Sequence, residues 1–489
     1  MYRLPRFIVL AKWVPSTLAH SSFLLFLLTA PLQAAESPIQ NVPPSQDYPI
    51  QTTPMSGGDG SVEQFDHNAY SLPLGNMSMT KRLDFSVGNS FFRNPWVAAP
   101  ASTEARDGLG PLLNTNSCQG CHLKDGRGHP PTGDENPIAL FLRLSLPASQ
   151  ADPETLEQRG ALPVPNYGLQ LQTAAISGAK PEAKLVIEYR PREVSFADGT
   201  SVTLQEPIYS IAEPAYGELP ESLQTSPRLA PPMIGLGLLE AIPEADLIAA
   251  ADPDDADNDG ISGRYNQVWD VRSGATVMGR FGWKAGEPSI EQQGLHAFAG
   301  DMGLTSSLVP QTDCMESQGC DEFPNGGTPE VSDDVADFVT FYASSLAVPM
   351  RRDMDEPAVK QGAERFNALG CASCHTPRQR TAADTARPAL ANQEIWPYSD
   401  LLLHDLGDAL ADHRSEFQAD GREWRTPPLW GIGLAQTVNP RAGFLHDGRA
   451  RTLEEAILWH GGEAESATQG YRALPADQRA ELIRFLESL

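Results

Sequence analysis

The chain has 489 residues, too many for one simple core, so two or three domains are expected. A formal net charge of −27 excludes nucleic acid and anionic membrane surfaces as natural partners. The 41 glycines and 42 prolines favour a loop-rich architecture over one of long regular elements.

Residues 1–35 read as a secretory leader. Arg3, Arg6 and Lys12 precede the apolar run FLLFLLTA, and the small residues of PLQAAES place cleavage near Ala34 or Ala35. The run is too short to span a bilayer, which needs ~18–20 apolar residues, and no later stretch approaches that length. The expectation is a periplasmic protein with no membrane span. Residues 36–60, rich in Pro, Ser and Gln, are expected to be extended or disordered.

SCQGCHLKD follows, with Cys118, Cys121 and His122. Beyond it, KLVIEY (184–189) reads as a strand. VSFADGTSVTL reads as a neighbouring β-hairpin turning at Asp198-Gly199. In DADNDGISGR, Asp255, Asp257 and Asp259 alternate before Gly260, a spacing that suits oxygen ligands around Ca²⁺ or, equally, a solvated acidic turn. Cys314 and Cys320 are expected to close a small disulfide loop in an oxidising compartment; the alternative is two free thiols. EVSDDVADFVTFYASSLAVP carries Val335, Phe338, Val339, Tyr342 and Leu346 at helical spacing.

DEPAVKQGAERFNALGC reads as a helix opened by Pro357 and stopped by Gly370. It leads into a second pentapeptide, Cys371, Cys374 and His375. In RTLEEAILWHGG, Thr452 and Glu455 form a capping-box signature, and His460 ends the apolar face of Leu453, Ala456 and Ile457. The last helix presents Leu482, Ile483, Leu486 and Leu489 along one side.

Structural zinc would need four ligands, and a thiol-redox CxxC is usually single. Neither accounts for a histidine directly after the second cysteine, twice. Covalent haem does. Two thiols one helical turn apart reach the two vinyl groups on one porphyrin edge, and the next histidine ligates the iron. Two haems c are therefore expected, with His122 and His375 as proximal ligands. His460 is the candidate sixth ligand of the second, unless it only faces a helix dipole. A helix before CxxCH crossed by a closing helix resembles the class I cytochrome c domain. The expected fold is mainly α. A first haem domain covers 61–348 with a loop-rich insertion at about 150–275 containing a small β-hairpin, and a second covers 349–489.

GREWRTPPLWGIGL and GFLHDGRARTLEEAILWHGGEA resemble the C-terminal half of the bacterial di-haem cytochrome c peroxidase superfamily, above all its di-haem oxidoreductase branch, sometimes catalogued as thiol oxidoreductases. In the peroxidases an HDG or HSG stretch precedes the sixth ligand by fourteen residues. That ligand is methionine, or tyrosine in methylamine-dehydrogenase-maturing relatives. Counting from His446, the position is His460. The resemblance thus implies a bis-histidine second haem suited to relaying electrons. It also implies that Trp283 lies between the haems and that Gln293 and Asp301 stand over the first iron. Asp301 is an aspartate where the relatives have glutamate, two residues closer. Read by themselves, Trp283 suits a core, Gln293 a surface and Asp301 a cap. Met302, His129 and His296 are rival ligands to the first iron. The resemblance further implies an interdomain calcium held partly by Thr426 and Pro428. The expected activity is peroxidase-like. Electrons from a small cytochrome c or cupredoxin would enter at the C-terminal haem and reach hydrogen peroxide, or another small oxidant, at the first. The alternatives are a protein-modifying di-haem oxidase and a non-catalytic electron carrier.

Overall fold

The computed structural model describes residues 48–133 and 135–489. The expected leader at 1–35 and the start of the 36–60 segment lie outside the described residues. Among the described residues, no helix is long and apolar enough to cross a membrane.

The helices that matter here are α1 (Met79–Arg93), α2 (Cys118–Cys121), α3 (Ile290–Met302), α4 (Asp333–Ser344), α5 (Pro357–Ala368), α6 (Leu453–Trp459) and α7 (Ala476–Ser488). α1 crosses α4 at Gly88, where the backbones touch. A Cβ on Gly88 would stand 2.1 Å from the Phe338 carbonyl oxygen and 2.7 Å from Tyr342 Cβ. α5 crosses α7 in the same way. A Cβ on Gly362 would stand 2.1 Å from the Glu481 carbonyl oxygen and 2.6 Å from Phe485 Cβ. Four residues after each glycine comes a phenylalanine that packs on the crossing helix. Phe92 lies 5.1 Å from Tyr342 and Phe366 lies 5.2 Å from Phe485, centroid to centroid. The two crossings seed two apolar cores, one around Phe85, Phe92, Phe298 and Tyr342, the other around Phe366, Trp459, Tyr471 and Phe485.

Between the crossings, β1 (Leu140–Ser145) pairs antiparallel with β4 (Gln224–Leu229), from Leu140↔Leu229 to Ser145↔Gln224. They flank a long hairpin of β2 (Lys184–Ser195) and β3 (Ser201–Ala212), paired from Lys184↔Ala212 to Ser195↔Ser201. KLVIEY is therefore the first half of one hairpin limb, not a separate neighbouring strand. Pro191 and Pro207 sit within this two-stranded ribbon, where the outward side of each strand needs no ladder donor. Gly199 turns the tip at φ +83°. The tip reaches the C-terminal helices. Phe196 is buried among them, the Arg479 guanidinium covers its ring at 3.8 Å, and Arg479 Nη2 donates to Asp198 Oδ2 at 3.0 Å.

The sheets among the described residues are six antiparallel pairs, so the expected mainly α chain is met as helices mixed with small sheets. The expectation for 36–60 is corrected from Gln51 onward. Gln51, Ser56 and Gly58 are buried because the segment's polar groups find partners in the body. Asp59 N donates to Gln393 Oε1 and Trp396 N to the Ser56 carbonyl, each at 2.8 Å.

Gly362→Ala is expected to destabilise the protein by about 1–3 kcal/mol, since the new methyl forces two backbones apart. Gly88→Ala should cost a similar amount. Guanidinium unfolding curves of the two variants check this; an unchanged midpoint would show that the crossings are loose.

Candidate functional site

At the first pentapeptide, Ser117 Oγ accepts from Gly120 N at 3.2 Å and starts α2, which sets Cys118 and Cys121 on one turn. His122 Nδ1 donates to the Pro231 carbonyl at 2.7 Å. That bond fixes the tautomer and leaves Nε2 as a free lone pair. Burial lowers the His122 pKa to about 4, so the ring is neutral. Burial, then the Asp301 carboxylate, push the Cys118 thiol up to about 12 and Cys121 well above its usual value.

The second pentapeptide repeats the arrangement. His375 Nδ1 donates to the Tyr398 carbonyl at 3.0 Å, and Phe366 lies 6.3 Å from its ring, as Phe92 lies 6.2 Å from His122. Burial, then the nearby His460, hold His375 at about 4. His460 is one residue beyond the end of α6 rather than on it. Its Nδ1 donates to the Ala456 carbonyl at 2.7 Å, and Thr468 Oγ1 donates to the His460 carbonyl at 3.0 Å. Both rings thus keep Nε2 free. Two thiols and a neutral histidine with a free Nε2, present twice, fit covalent haem in both places.

Cys118, Cys121 and His122 line a cavity of about 210 Å³, and His122 is the only histidine among the lining residues. One face of α3 lines it too, with Gln293, Gly294, Ala297 and Asp301. A Cβ on Gly294 would meet nothing within 4 Å, so this wall leaves room for a flat group. Trp283, Gln293 and Asp301 all reach this cavity. They do not form one cluster. Gln293 Oε1 is beside Gly282, next to Trp283, while Asp301 is eight residues on, about 12 Å along the helix axis. Asp301 sits at the thiol edge. Its Oδ1 accepts from Gln170 Nε2 at 2.7 Å, and burial raises its pKa. Met302 lines the cavity as well. His129 and His296 do not; His129 Nδ1 meets Asn439 Nδ2 at 3.2 Å and His296 turns to Glu287.

The wall behind Trp283 joins distant parts of the chain. Trp283 Nε1 donates to the Leu229 carbonyl, and Arg425 N donates to the Trp283 carbonyl, each at 2.8 Å. Arg127 lies 5.6 Å above the indole and donates to the carbonyls of Gly443 and Leu445, both at 2.8 Å. Next to Trp283, the fully buried Lys284 pairs with Asp412 at 3.1 Å and covers Trp424 at 4.4 Å. Burial lowers the Lys284 pKa to about 8 despite Asp412. Trp424 stacks on His446 with ring centroids 3.8 Å apart.

Several groups near these centres receive no role from sequence reasoning. His404 is held between Asp400 and Glu463 at 2.8 and 2.7 Å. Burial alone would lower its pKa, but Cys374 and Asp400 raise it well above the usual value. The carbonyls that orient the histidines belong to Pro231, Tyr398 and Ala456, which carry no side-chain signal.

Asp255, Asp257 and Asp259 bring carboxylate oxygens within 4.8 Å of one another. Each also caps its own loop, as in Gly260 N to Asp255 Oδ1 at 3.1 Å. The Thr426 carbonyl already accepts from Ser399 Oγ at 2.7 Å and Arg425 Nη1 at 3.2 Å, and Pro428 lines the first cavity. Cys314 and Cys320 are joined as a disulfide, with Cα atoms 6.4 Å apart.

The family described as "Di-haem oxidoreductase, putative peroxidase" matches residues 51–489. No curated protein matches the chain. Among solved structures, a chain of hydrazine synthase from Kuenenia stuttgartiensis, pressurised with xenon, is similar at 14% identity. The match covers 91% of this chain and 100% of that one, with a TM-score of 0.32.

Lys284→Met removes one partner of a fully buried pair and leaves Asp412 with Arg228 at 3.8 Å and with hydrogen bonds from Ser226 Oγ at 2.5 Å and Arg414 N at 3.0 Å. The expected cost is about 3–5 kcal/mol. Chemical denaturation measures it, and a loss below that range would mean the pair is solvated in solution.

Proposed function

The chain belongs to the di-haem oxidoreductase family, and on that premise we propose that it is a periplasmic peroxidase-type enzyme with two covalent haems c. In this reading each crossing, α1 with α4 and α5 with α7, is the frame of a cytochrome c-like haem unit. The first unit is interrupted by the segment that carries the hairpin.

The observation that carries the reading is the asymmetry between two similar centres. His375 has a second free histidine nitrogen, on His460, within its electrostatic reach. His122 faces a cavity wall of Gly294 and Ala297 with no other histidine. A six-coordinate centre suits electron transfer and an open one suits chemistry. Haem, when bound, supplies the iron that receives electrons and passes them to the oxidant. The chain's own part is to hold His122 and His375 by their Nδ1 bonds, close one centre with His460 and leave room for peroxide at the other. Trp283, next to Gln293 on the first cavity and tied to Arg425, lies on the proposed route between the centres. The net charge of −27 favours a small donor with a basic face, a cytochrome c or a cupredoxin. Export is supported by the leader-like segment at 1–35 and by the Cys314–Cys320 disulfide.

Resting ferric protein is expected to give one low-spin and one high-spin EPR signal, with cyanide converting only the latter. His460→Ala should turn the low-spin signal high-spin and leave the other in place. Two low-spin signals and no cyanide binding would make the protein an electron carrier instead.

A further inference from the structure

Three acidic residues line the first cavity, Asp301, Glu416 and Glu287. A group that shuttles protons to a substrate there must exchange its own proton with solvent. Asp301 is bonded by the Gln170 amide, a neutral group whose N–H does not titrate and cannot pass a proton on. Glu416 is bonded by Arg228 at 3.1 Å and Arg414 at 2.6 Å, and these cations hold it as a carboxylate.

Glu287 differs from both. Its Oε1 accepts from His296 Nδ1 at 2.7 Å and its Oε2 from Gln292 Nε2 at 3.0 Å. The His296 side chain is 34% exposed and the Glu287 side chain 15%. A part-exposed imidazole with one nitrogen on the carboxylate is the residue type suited to relay protons near neutral pH. Arg143 and Asp313 are the other charged groups felt by His296, and they act in opposite directions. The backbone holds Glu287 firmly, since Arg280 N and Phe281 N both donate to its carbonyl, at 2.8 and 2.9 Å. It is four residues beyond Trp283, at the Gln293 end of the cavity rather than the thiol edge.

We propose that Glu287 is the proton-transfer group of the first cavity and that His296 connects it to solvent. This rests on the peroxidase reading above. The reduction of hydrogen peroxide consumes two electrons and two protons and yields two waters. The electrons come from the donor protein through the haems. Glu287 Oε takes the proton that peroxide loses on binding and returns it to the departing oxygen as the O–O bond breaks. The additional protons arrive from water at His296 Nε2, while the Nδ1 proton passes to Glu287 Oε1.

Cyanide tests this without turnover, because hydrogen cyanide must also lose a proton before it binds iron. Stopped-flow absorbance on the holoprotein gives the association rate at neutral pH. Glu287→Gln is expected to slow association by about 100-fold or more, the range of a lost acid–base group, with Glu287→Asp partly restoring it. His296→Gln should fall between Glu287→Gln and the wild type and flatten the pH profile of the rate. An unchanged low-spin spectrum from the second centre reports folding, and the part-exposed His296 carries the test if Glu287→Gln does not accumulate. Association as fast as wild type in both variants overturns the inference alone, as does an Asp301→Asn variant slowed more than Glu287→Gln. Wild-type holoprotein that binds no cyanide overturns the proposed function and this inference with it.

Discussion

An imidazole that binds a metal through one nitrogen must place the proton of the other, and a buried ring that fails to do so costs a lost hydrogen bond. Three histidines meet this requirement with a backbone carbonyl: His122 with Pro231, His375 with Tyr398 and His460 with Ala456. The first of these carbonyls comes from the far side of the long insertion. The insertion is thus part of the first centre, because its return strand β4 leads directly to Pro231. The further bond of Met233 N to the Asp125 carbonyl, at 2.9 Å, holds that return against the turn after His122. An insertion that only decorated the surface would not need such bonds.

Around these bonds the chain uses one scaffold twice. Gly88 and Phe92 meet Phe338 and Tyr342 as Gly362 and Phe366 meet Glu481 and Phe485. The elements outside the repeat differ. The second unit adds α6, whose end delivers His460 close enough to His375 to lower its pKa. The first adds α3, whose inward face offers Gly294 and Ala297. A common frame with unlike surroundings is the simplest physical way in which the proposed closed and open centres would arise from the same cofactor. The hairpin spans two cores, since its tip is buried under Arg479 and beside Tyr471 while Leu185 and Ile211 at its root pack on the cluster of Leu142 and Leu144.

The features legible in the sequence were the local ones. The pentapeptides, Pro357 and Gly370 around α5, and the Thr452–Glu455 cap each act within a few residues, and the structure repeats them. The Gly-x-x-x-Phe pair was printed twice, in VGNSFF and QGAERF, but has meaning only once a second helix lies across it. The hairpin runs on past VSFADGTSVTL to Lys184 and Ala212, since Pro191 and Pro207 are tolerated where a strand has one free side. Asp301 lines the same cavity as Gln293 but at its thiol edge, a separation that sequence spacing alone does not convert into distance from a bound ring. Glu287 gave no signal at all, being one acid among 63 acidic residues until its partner His296 and the cavity wall were in view.

The charges around Trp283 bear on how the proposed route would work. Arg127 lies over the indole, and Arg425 bonds the backbone on either side of it, Nε to the Gly282 carbonyl and N to that of Trp283. A cation near a ring favours its electron-rich neutral form and makes removal of an electron costlier. The indole also keeps its Nε1 proton on the Leu229 carbonyl, a weak base that does not accept it outright. Both features disfavour an oxidised Trp283 that persists. On the proposed route the ring would therefore act as a bridge that shortens the gap, and not as a site that stores an oxidising equivalent.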